Sequence, residues 1–225
     1  MPLDQLLLFV VAGLLLNLTP GPDVLYIVSQ ALKSGVRAGV VAALGIGAGC
    51  FVHIFAAAVG VSALLAASAP AFTVLKWVGA AYLVWVGWRM LRSSAPRLEL
   101  AAVTREAATG SAATSGAATA ADLKSIFLRG FATNVLNPKV ALFFLAFLPQ
   151  FIGPSMEHKT TAFLLLGLLF NVNGLAVNIG WAVAAAWLAA RVGLVRTSMH
   201  WLERLAGAMF LGFGLKLALS DNPRS

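Results

Sequence analysis

The chain has 225 residues, of which 60% are hydrophobic and 11% are charged, and its mean hydropathy is +0.89. A soluble domain carries about 25% charged residues, so the composition excludes an ordinary soluble protein. No Asp, Glu, Lys or Arg occurs between Ala38 and Leu75, a run longer than the roughly 20 apolar residues that cross a bilayer. No short alternating strands of a β-barrel are present. The sequence therefore predicts an all-α, polytopic membrane protein.

The net charge of +8 has two interpretations. A basic protein can bind nucleic acid, but cationic loops of a membrane protein are retained on the cytoplasmic side, and we favour the second. We therefore expect no nucleic-acid partner. The single cysteine, Cys50, excludes an intrachain disulfide. The N-terminus lacks a basic region and a small-residue cleavage site, so we expect a retained first helix rather than a signal peptide.

Hydropathy predicts six transmembrane helices, which run approximately over residues 4–31, 39–68, 71–91, 126–152, 162–190 and 198–219. Eleven basic residues lie on the side of the loops after spans one, three and five, against four on the other side, with Lys139 left inside span four. The positive-inside rule then places both termini outside an inner (plasma) membrane and the third loop in the cytoplasm. The six tryptophans fit anchors in contact with lipid at the membrane interfaces.

The third loop divides the chain into two units. Residues 107–121 are only Ala, Thr, Ser and Gly, a composition that cannot bury enough apolar surface to order itself. We therefore expect a flexible cytoplasmic linker over 93–124. It joins a three-helix unit at 1–92 to another at 125–225. Because each unit has an odd number of spans, their orientations are opposite, which is the arrangement of an inverted repeat in transporters.

Spans one and four each contain an interruption. TPGPD in span one holds Pro20, Gly21 and Pro22, and NPK in span four holds Pro138. Proline lacks a backbone donor but suits the first position of a helix. We therefore expect spans one and four to be broken helices that end and restart there, with Asn137 as an N-cap.

The two interruptions correspond in spacing and depth. Asn17 precedes the first as Asn134 precedes the second, each four residues after a glycine. Counted from the flanking basic residues, both breaks lie about 14–17 Å from the cytoplasmic boundary at 1.5 Å per residue. That depth is near the midplane of a hydrocarbon core about 30 Å thick. Two such breaks indicate a transporter's substrate site, and two half-helix N-termini there suit a carboxylate.

Ionisable side chains point to the same depth. Asp23 is the only carboxylate, and Lys139 the only lysine, predicted deep in the membrane, where charges usually face a functional cavity. They form either a structural pair or a site for a zwitterion, with Asp23 near its ammonium group and Lys139 near its carboxylate. Asp23 and His53 are the proton-coupling candidates, although a satisfied buried histidine is the more ordinary interpretation of His53. Asn171 and Asn178 of span five either contact substrate or join helices by hydrogen bonds.

No motif indicates an enzyme or a metal site. The sequence has no H-E-x-x-H, P-loop or G-x-S-x-G pattern, its three histidines are far apart, and it has one cysteine. A bound metal ion would need more deep carboxylate, cysteine or histidine ligands. We therefore expect no catalytic residue, no metal and no cofactor.

Four stretches, taken in order, resemble the LysE/RhtB amino-acid exporter family: TPGPD, G-x-x-x-G in span two, GAAYL-x-x-x-G in span three and N-x-x-NPK in span four. The resemblance runs over about residues 3–219 apart from the linker. It implies an inner-membrane carrier that exports amino acids or close derivatives and is driven by the proton gradient. It also implies a homodimer. The positions that match the family's characteristic motifs are Pro20, Gly21, Pro22, Asn137, Pro138 and Lys139.

We therefore expect a secondary exporter of a neutral amino acid of the threonine or homoserine type, working by proton antiport. A different solute (a basic amino acid, an organic cation or a metal ion) and a non-transporting scaffold are the alternatives. A scaffold would not need two costly breaks, and a cationic substrate would favour more than one deep carboxylate. The expected substrate-binding residues are Asn17, Pro20, Gly21, Pro22, Asp23, Asn134, Asn137, Pro138, Lys139, Asn171 and Asn178.

Overall fold

A computed structural model describes residues 2–67, 119–152 and 158–189, with isolated helical positions within 74–88 and 208–215. The predicted spans three and six and residues 93–118 of the predicted linker lie largely or wholly outside the described residues. Every regular element in the described ranges is helical. These elements are α1 (Leu3–Leu18), α2 (Pro22–Ala67), α3 (Ala120–Val135), α4 (Pro138–Leu142), a π-helix (Phe143–Phe147), a 3₁₀-helix (Leu148–Phe151) and α5 (Lys159–Ala189).

Two described helices are long and apolar enough to cross a membrane, and a third candidate is formed if a bent pair counts as one span. The two are Pro22–Gly60 and Lys159–Trp187, and the pair is Asp122–Val135 with Pro138–Phe151. The predicted all-α membrane class is confirmed at this level.

The predicted break in the first span is present. Helix α1 ends at Leu18, the next three residues are not helical, and α2 begins at Pro22. Thr19 closes α1, because its backbone N–H and its hydroxyl both donate to the carbonyl of Leu15, at 3.1 and 2.6 Å. Helix α2 opens with the bond from the N–H of Leu25 to the carbonyl of Gly21 at 2.9 Å.

Helix α2 folds back on itself at Ser34 and Gly35. Both residues have non-helical backbone angles, and Gly35 has a φ of 81°, which side chains disfavour. A Cβ on Gly39 would lie 2.8 Å from the Cβ of Ala31, whereas eight residues of straight helix span about 12 Å. Residues 22–33 and 36–67 therefore form a helical hairpin. The first arm completes the broken first span, and the second arm corresponds to the predicted second span.

Helix α3 begins at Ala120, within the stretch 93–124 that the composition assigned to the linker. The cause is a capping box. Thr119 accepts a hydrogen bond from the N–H of Asp122 at 3.3 Å, and the Asp122 carboxylate accepts from the N–H of Thr119 at 3.0 Å. This reciprocal arrangement satisfies two backbone donors that a bare helix end leaves unpaired, so the helix extends into an alanine-rich segment.

The predicted break in the fourth span is also present. Helix α3 ends at Val135, and the chain bends by 45° before Pro138 opens α4. Asn137 is the N-cap, as predicted, because its side chain accepts from the N–H of Lys139 at 3.0 Å.

The apolar core lies in two clusters. The first is aromatic and joins α1, α5 and the π-helix, with Phe143 stacked on Phe170 at a ring distance of 4.4 Å. The second consists of smaller aliphatic residues of α2, α3 and α5, such as Ile27, Ala42 and Ala182. Each cluster supplies part of the wall of one polar cavity.

Helices α2 and α3 touch backbone to backbone. A Cβ on Gly130 would lie 2.7 Å from the carbonyl oxygen of Ala42, and one on Gly49 would lie 2.6 Å from that of Phe131. Only glycine fits such contacts, as is common where membrane helices pack closely. This crossing holds the end of α3 against the second arm of α2.

Candidate functional site

The two charged residues beside the breaks occupy equivalent positions, since Asp23 and Lys139 each follow the proline that opens a helix. The Asp23 Oδ2 atom accepts from Asn134 Nδ2 at 2.8 Å. The Lys139 ammonium donates to the carbonyls of Leu16 at 2.8 Å and Thr19 at 2.9 Å. Asp23, which follows the first break, therefore bonds to the end of α3, before the second break. Lys139, which follows the second break, bonds to the end of α1, before the first break. These contacts bind the two breaks to each other.

Lys139 serves as the terminal cap of α1. The last carbonyls of a helix have no intrahelical partner, and together they carry roughly half a negative charge. The ammonium group neutralises this charge without leaving the protein interior. A Cβ on Gly21 would lie 3.7 Å from both Cδ and Nζ of Lys139, so the glycine keeps the space beside the lysine open.

Asn134 connects three elements. Its side chain donates to Asp23, and its backbone carbonyl accepts from the N–H of Asn137 at 2.9 Å and lies 2.9 Å from Nε2 of His53. Because a carbonyl only accepts, Nε2 of His53 carries the hydrogen. His53 is 8% exposed and stacks on Phe144, with 6.2 Å between ring centroids. It acts here as a donor to the broken end of α3.

A cavity lies where the two breaks meet. Its open volume of about 40 Å³ has room for roughly three water molecules. Eight of the eleven predicted substrate-binding residues line it: Asn17, Gly21, Asp23, Asn134, Asn137, Lys139, Asn171 and Asn178.

The other predicted residues lie outside the cavity wall. Pro22 and Pro138 are exposed and stand at the first positions of α2 and α4, where they shape the backbone. Pro20 is half-buried in the non-helical segment. His53, the second proton-coupling candidate, is behind the wall, bonded to Asn134.

Sequence reasoning missed part of the wall. Leu16, Thr19, Val24, Ile46, Cys50, Val140, Phe170 and Gly174 also line the cavity. Helical spacing could have found several of them. Phe170, Gly174 and Asn178 recur every four residues on α5, as Ile46 and Cys50 do on α2.

Three polar atoms of the wall are buried without a hydrogen-bond partner among the residues that the structure describes. They are Asn17 Nδ2, Asp23 Oδ1 and Asn134 Oδ1. Asn171 differs, because its Nδ2 donates to the carbonyl of Gly47 at 3.1 Å and joins α5 to α2. A buried polar atom left unpaired costs about 1–3 kcal/mol, so this geometry suits a polar ligand or bound water.

No metal site is found in the described part of the chain, where no three His, Cys, Asp or Glu side chains converge. The cavity contains a single carboxylate residue, Asp23. The polar groups of the described wall offer a solute hydrogen bonds and charge.

Comparison with known proteins decides the family. Residues 14–221 match the family of LysE type translocators. The chain belongs to the LysE family. This confirms the resemblance carried by the TPGPD and NPK motifs. Membership also means that the protein is a membrane translocator rather than an enzyme.

The curated relatives are also membrane proteins. An uncharacterized membrane protein of Vibrio cholerae is 34% identical, with 94% of this chain and 95% of the relative covered. A homoserine/homoserine lactone efflux protein of Salmonella typhimurium is 30% identical (93% and 94% covered). A leucine efflux protein of Enterobacter is 29% identical (93% of both covered). No solved structure matches the LysE-family chain.

Proposed function

We propose that this protein is a secondary active exporter of neutral amino acids or close derivatives across the inner membrane, driven by proton antiport. The observation that carries the proposal is the cavity between the two helix breaks, where Asn17, Asp23 and Asn134 each leave a buried polar atom unpaired. Unwound backbone and intramembrane charge are tolerated where they serve a transport site.

The relatives support a small amino-acid substrate. Two of them are named for efflux of homoserine with its lactone and for efflux of leucine, which are compounds with uncharged side chains. The remainder of the cavity wall supports the same class, because Ile46, Cys50 and Phe170 offer apolar contacts and no charge. A cationic side chain would need a carboxylate beyond Asp23.

The proposed architecture is six spans in two inverted three-helix repeats. Contacts made by the two units support it, because they correspond in pairs. Asn17 of the first broken span packs on Gly174, because its Nδ2 atom would lie 3.1 Å from a Cβ added to that glycine. Asn134 of the second broken span packs on Gly49, because its Cβ would lie 3.0 Å from a Cβ added to that glycine. Four residues beyond these glycines stand His53 and Asn178, both buried.

Proton coupling follows from competition for Asp23. The carboxylate has one oxygen bonded to Asn134, and its other oxygen has no hydrogen-bond partner among the described residues, so it can hold either a proton or the ammonium group of a substrate. A carrier that cannot hold both at once exchanges one for the other. The coupling proton would then enter from outside as the amino acid leaves.

The proposed orientation puts both termini outside and residues 93–124 in the cytoplasm, as the eleven-to-four bias of basic residues predicts. A cysteine introduced into 107–121 of a Cys50→Ala protein should resist an impermeant thiol reagent added to intact cells. Labelling of this cysteine without permeabilisation would show that the orientation is the opposite of the proposed one. The homodimer remains a prediction from the family resemblance.

The test of function is uptake into proteoliposomes that contain the full-length protein. Radiolabelled L-homoserine, L-threonine and L-leucine should accumulate when the vesicle interior is acidic, and accumulation should fall to the gradient-free level after a protonophore. L-lysine should accumulate far less. Uptake of none of these neutral amino acids, or uptake that ignores the pH gradient, would refute the proposal.

The site is tested by replacing Asp23 with Asn, which keeps the shape and removes the charge. We expect gradient-driven uptake to be lost while the protein remains folded. Gly60→Ala is the control, because a methyl group there meets no described atom within 4 Å. Normal coupled uptake by the Asp23→Asn protein would show that the carboxylate of Asp23 is not part of the substrate site.

A further inference from the structure

The unpaired atoms of the cavity are mostly acceptors. Of the three fully buried atoms, Asp23 Oδ1 and Asn134 Oδ1 accept, whereas Asn17 Nδ2 donates. The orientation of the Asn134 amide is fixed, because a carboxylate only accepts and the NH₂ group must therefore face Asp23 at 2.8 Å. Its oxygen is thus left for a donor. Asn134 is 2% exposed, so water outside the protein does not satisfy that oxygen.

Three donors of Lys139 are directed at protein atoms. Two of the three N–H groups of the Lys139 ammonium point at the carbonyls of Leu16 and Thr19. The backbone N–H of Lys139 points at the side chain of Asn137. The positive end of α4 is therefore engaged by the protein, while the negative side chain of the cavity has an oxygen to spare.

We propose that the cavity holds its substrate by a primary ammonium group and does not require a free carboxylate. Asp23 Oδ1 and Asn134 Oδ1 accept from the ammonium, and Asn17 Nδ2 donates to the carbonyl oxygen of the substrate. That oxygen is present in an acid, an ester, an amide or a lactone alike. The substrate class is therefore α-amino acids together with their carboxyl-neutral derivatives. This inference rests on the proposed function and departs from the sequence expectation that Lys139 selects a carboxylate.

The natural single cysteine makes the test direct. Cys50 lines the cavity and is 3% exposed, so N-ethylmaleimide should modify it slowly in the folded protein, only when the cavity opens, and a ligand in the cavity should slow this modification further. The purified full-length protein is incubated with L-leucine, L-leucine methyl ester, N-acetyl-L-leucine or the corresponding 2-hydroxy acid. Shielding at about ten times the dissociation constant should slow modification about tenfold.

The first two compounds keep the ammonium group and should shield Cys50, whereas the last two lack it and should not. Asp23→Asn should weaken shielding by both active compounds about 10- to 150-fold, the loss expected for a hydrogen bond to a charged group. Gly60→Ala should leave both unchanged. The same preparations, reconstituted in vesicles, report leucine and homoserine uptake.

Three results would overturn the inference: shielding by N-acetyl-L-leucine equal to that by L-leucine, shielding by L-leucine but not by its ester, or no shielding by any compound from a protein that transports leucine. Failure of the proposed function looks different, because vesicles would then accumulate neither leucine nor homoserine with or without a pH gradient. Equal shielding in wild type and Asp23→Asn would also reject the assignment of the ammonium group to Asp23.

Discussion

The crossing of α2 and α3 gives the sharpest prediction about the fold, through the substitution Gly130→Ala. A Cβ at this position would lie 2.7 Å from the carbonyl oxygen of Ala42 and 3.4 Å from the backbone nitrogen of Ile46. Carbon and carbonyl oxygen normally approach to about 3.3–3.6 Å, so the helices must separate by about 0.6 Å or more. Backbone cannot rotate away as a side chain can, and overpacking of this kind costs about 1–3 kcal/mol.

Gly60→Ala, in the second arm of α2, is the matched control. No atom of the described residues lies within 4 Å of a methyl group there, and alanine stabilises a helix interior by about 0.5–1 kcal/mol relative to glycine. Because both glycines lie inside helices, this gain applies to both variants, and they should differ in free energy of unfolding by the overpacking cost alone, about 1–3 kcal/mol. At about 2–4 °C per kcal/mol for a chain of this size, their midpoints should differ by about 2–12 °C.

The assay is thermal unfolding of the detergent-solubilised protein, followed with a dye that becomes fluorescent on reaction with a thiol. Cys50 is buried and is the only cysteine in the sequence, so the signal reports unfolding around the site itself. Gly130→Ala should react at a lower temperature than wild type, and Gly60→Ala at the same or a higher one. A Gly130→Ala protein as stable as Gly60→Ala would refute the backbone contact and, with it, the rigid placement of Asn134.

Three further substitutions have defined outcomes. Lys139→Met should lower the same thermal midpoint, because it strips two buried carbonyls of a donor at about 1–3 kcal/mol each; an unchanged midpoint would contradict the capping role. His53→Leu should raise KM for uptake. His53→Gln keeps a donor of similar reach and should retain both KM and proton coupling. Uncoupled transport by the His53→Gln protein would instead show that His53 carries the proton. Thr119→Ala should cost about 1 kcal/mol of local helix stability and speed hydrogen exchange of the backbone amides at 120–124, whereas Thr119→Ser should change neither. Equal exchange rates in the two variants would contradict the capping box.

Sequence reasoning located both breaks because proline and glycine act locally. The roles of Pro22 and Pro138 as first helical residues, and of Asn137 as a cap, follow from the missing N–H of proline and the acceptor of asparagine. The start of α3 at Ala120 was missed because composition was weighed over the whole linker. The T-x-x-D pattern beginning at Thr119 instead predicts the N-terminus of a helix at this position.

The partners of the charged residues could not be predicted in the same way. Depth alone suggested that Asp23 and Lys139 meet, but it does not say which atoms they touch. Lys139 donates to carbonyls of Leu16 and Thr19, and a backbone carbonyl exists at every position, so no residue type marks it in the sequence. The sequence favoured a satisfied buried histidine at His53, as the structure has it, but its partner was hidden for the same reason, because it is the carbonyl of Asn134.

The cross-contacts between the breaks bear on how the cavity opens. Asp23 holds the end of α3 and Lys139 holds the end of α1, so widening the cavity requires at least one of these contacts to break. In the proposed exchange, a substrate ammonium that bonds Asp23 and Asn134 together would offset the loss of their mutual hydrogen bond, whereas a proton on Asp23 would remove the charge that strengthens it. Substrate and proton would then loosen the same contact by different means, which is what exchange of one for the other requires. Asp23→Asn should consequently leave the contact with Asn134 insensitive to pH.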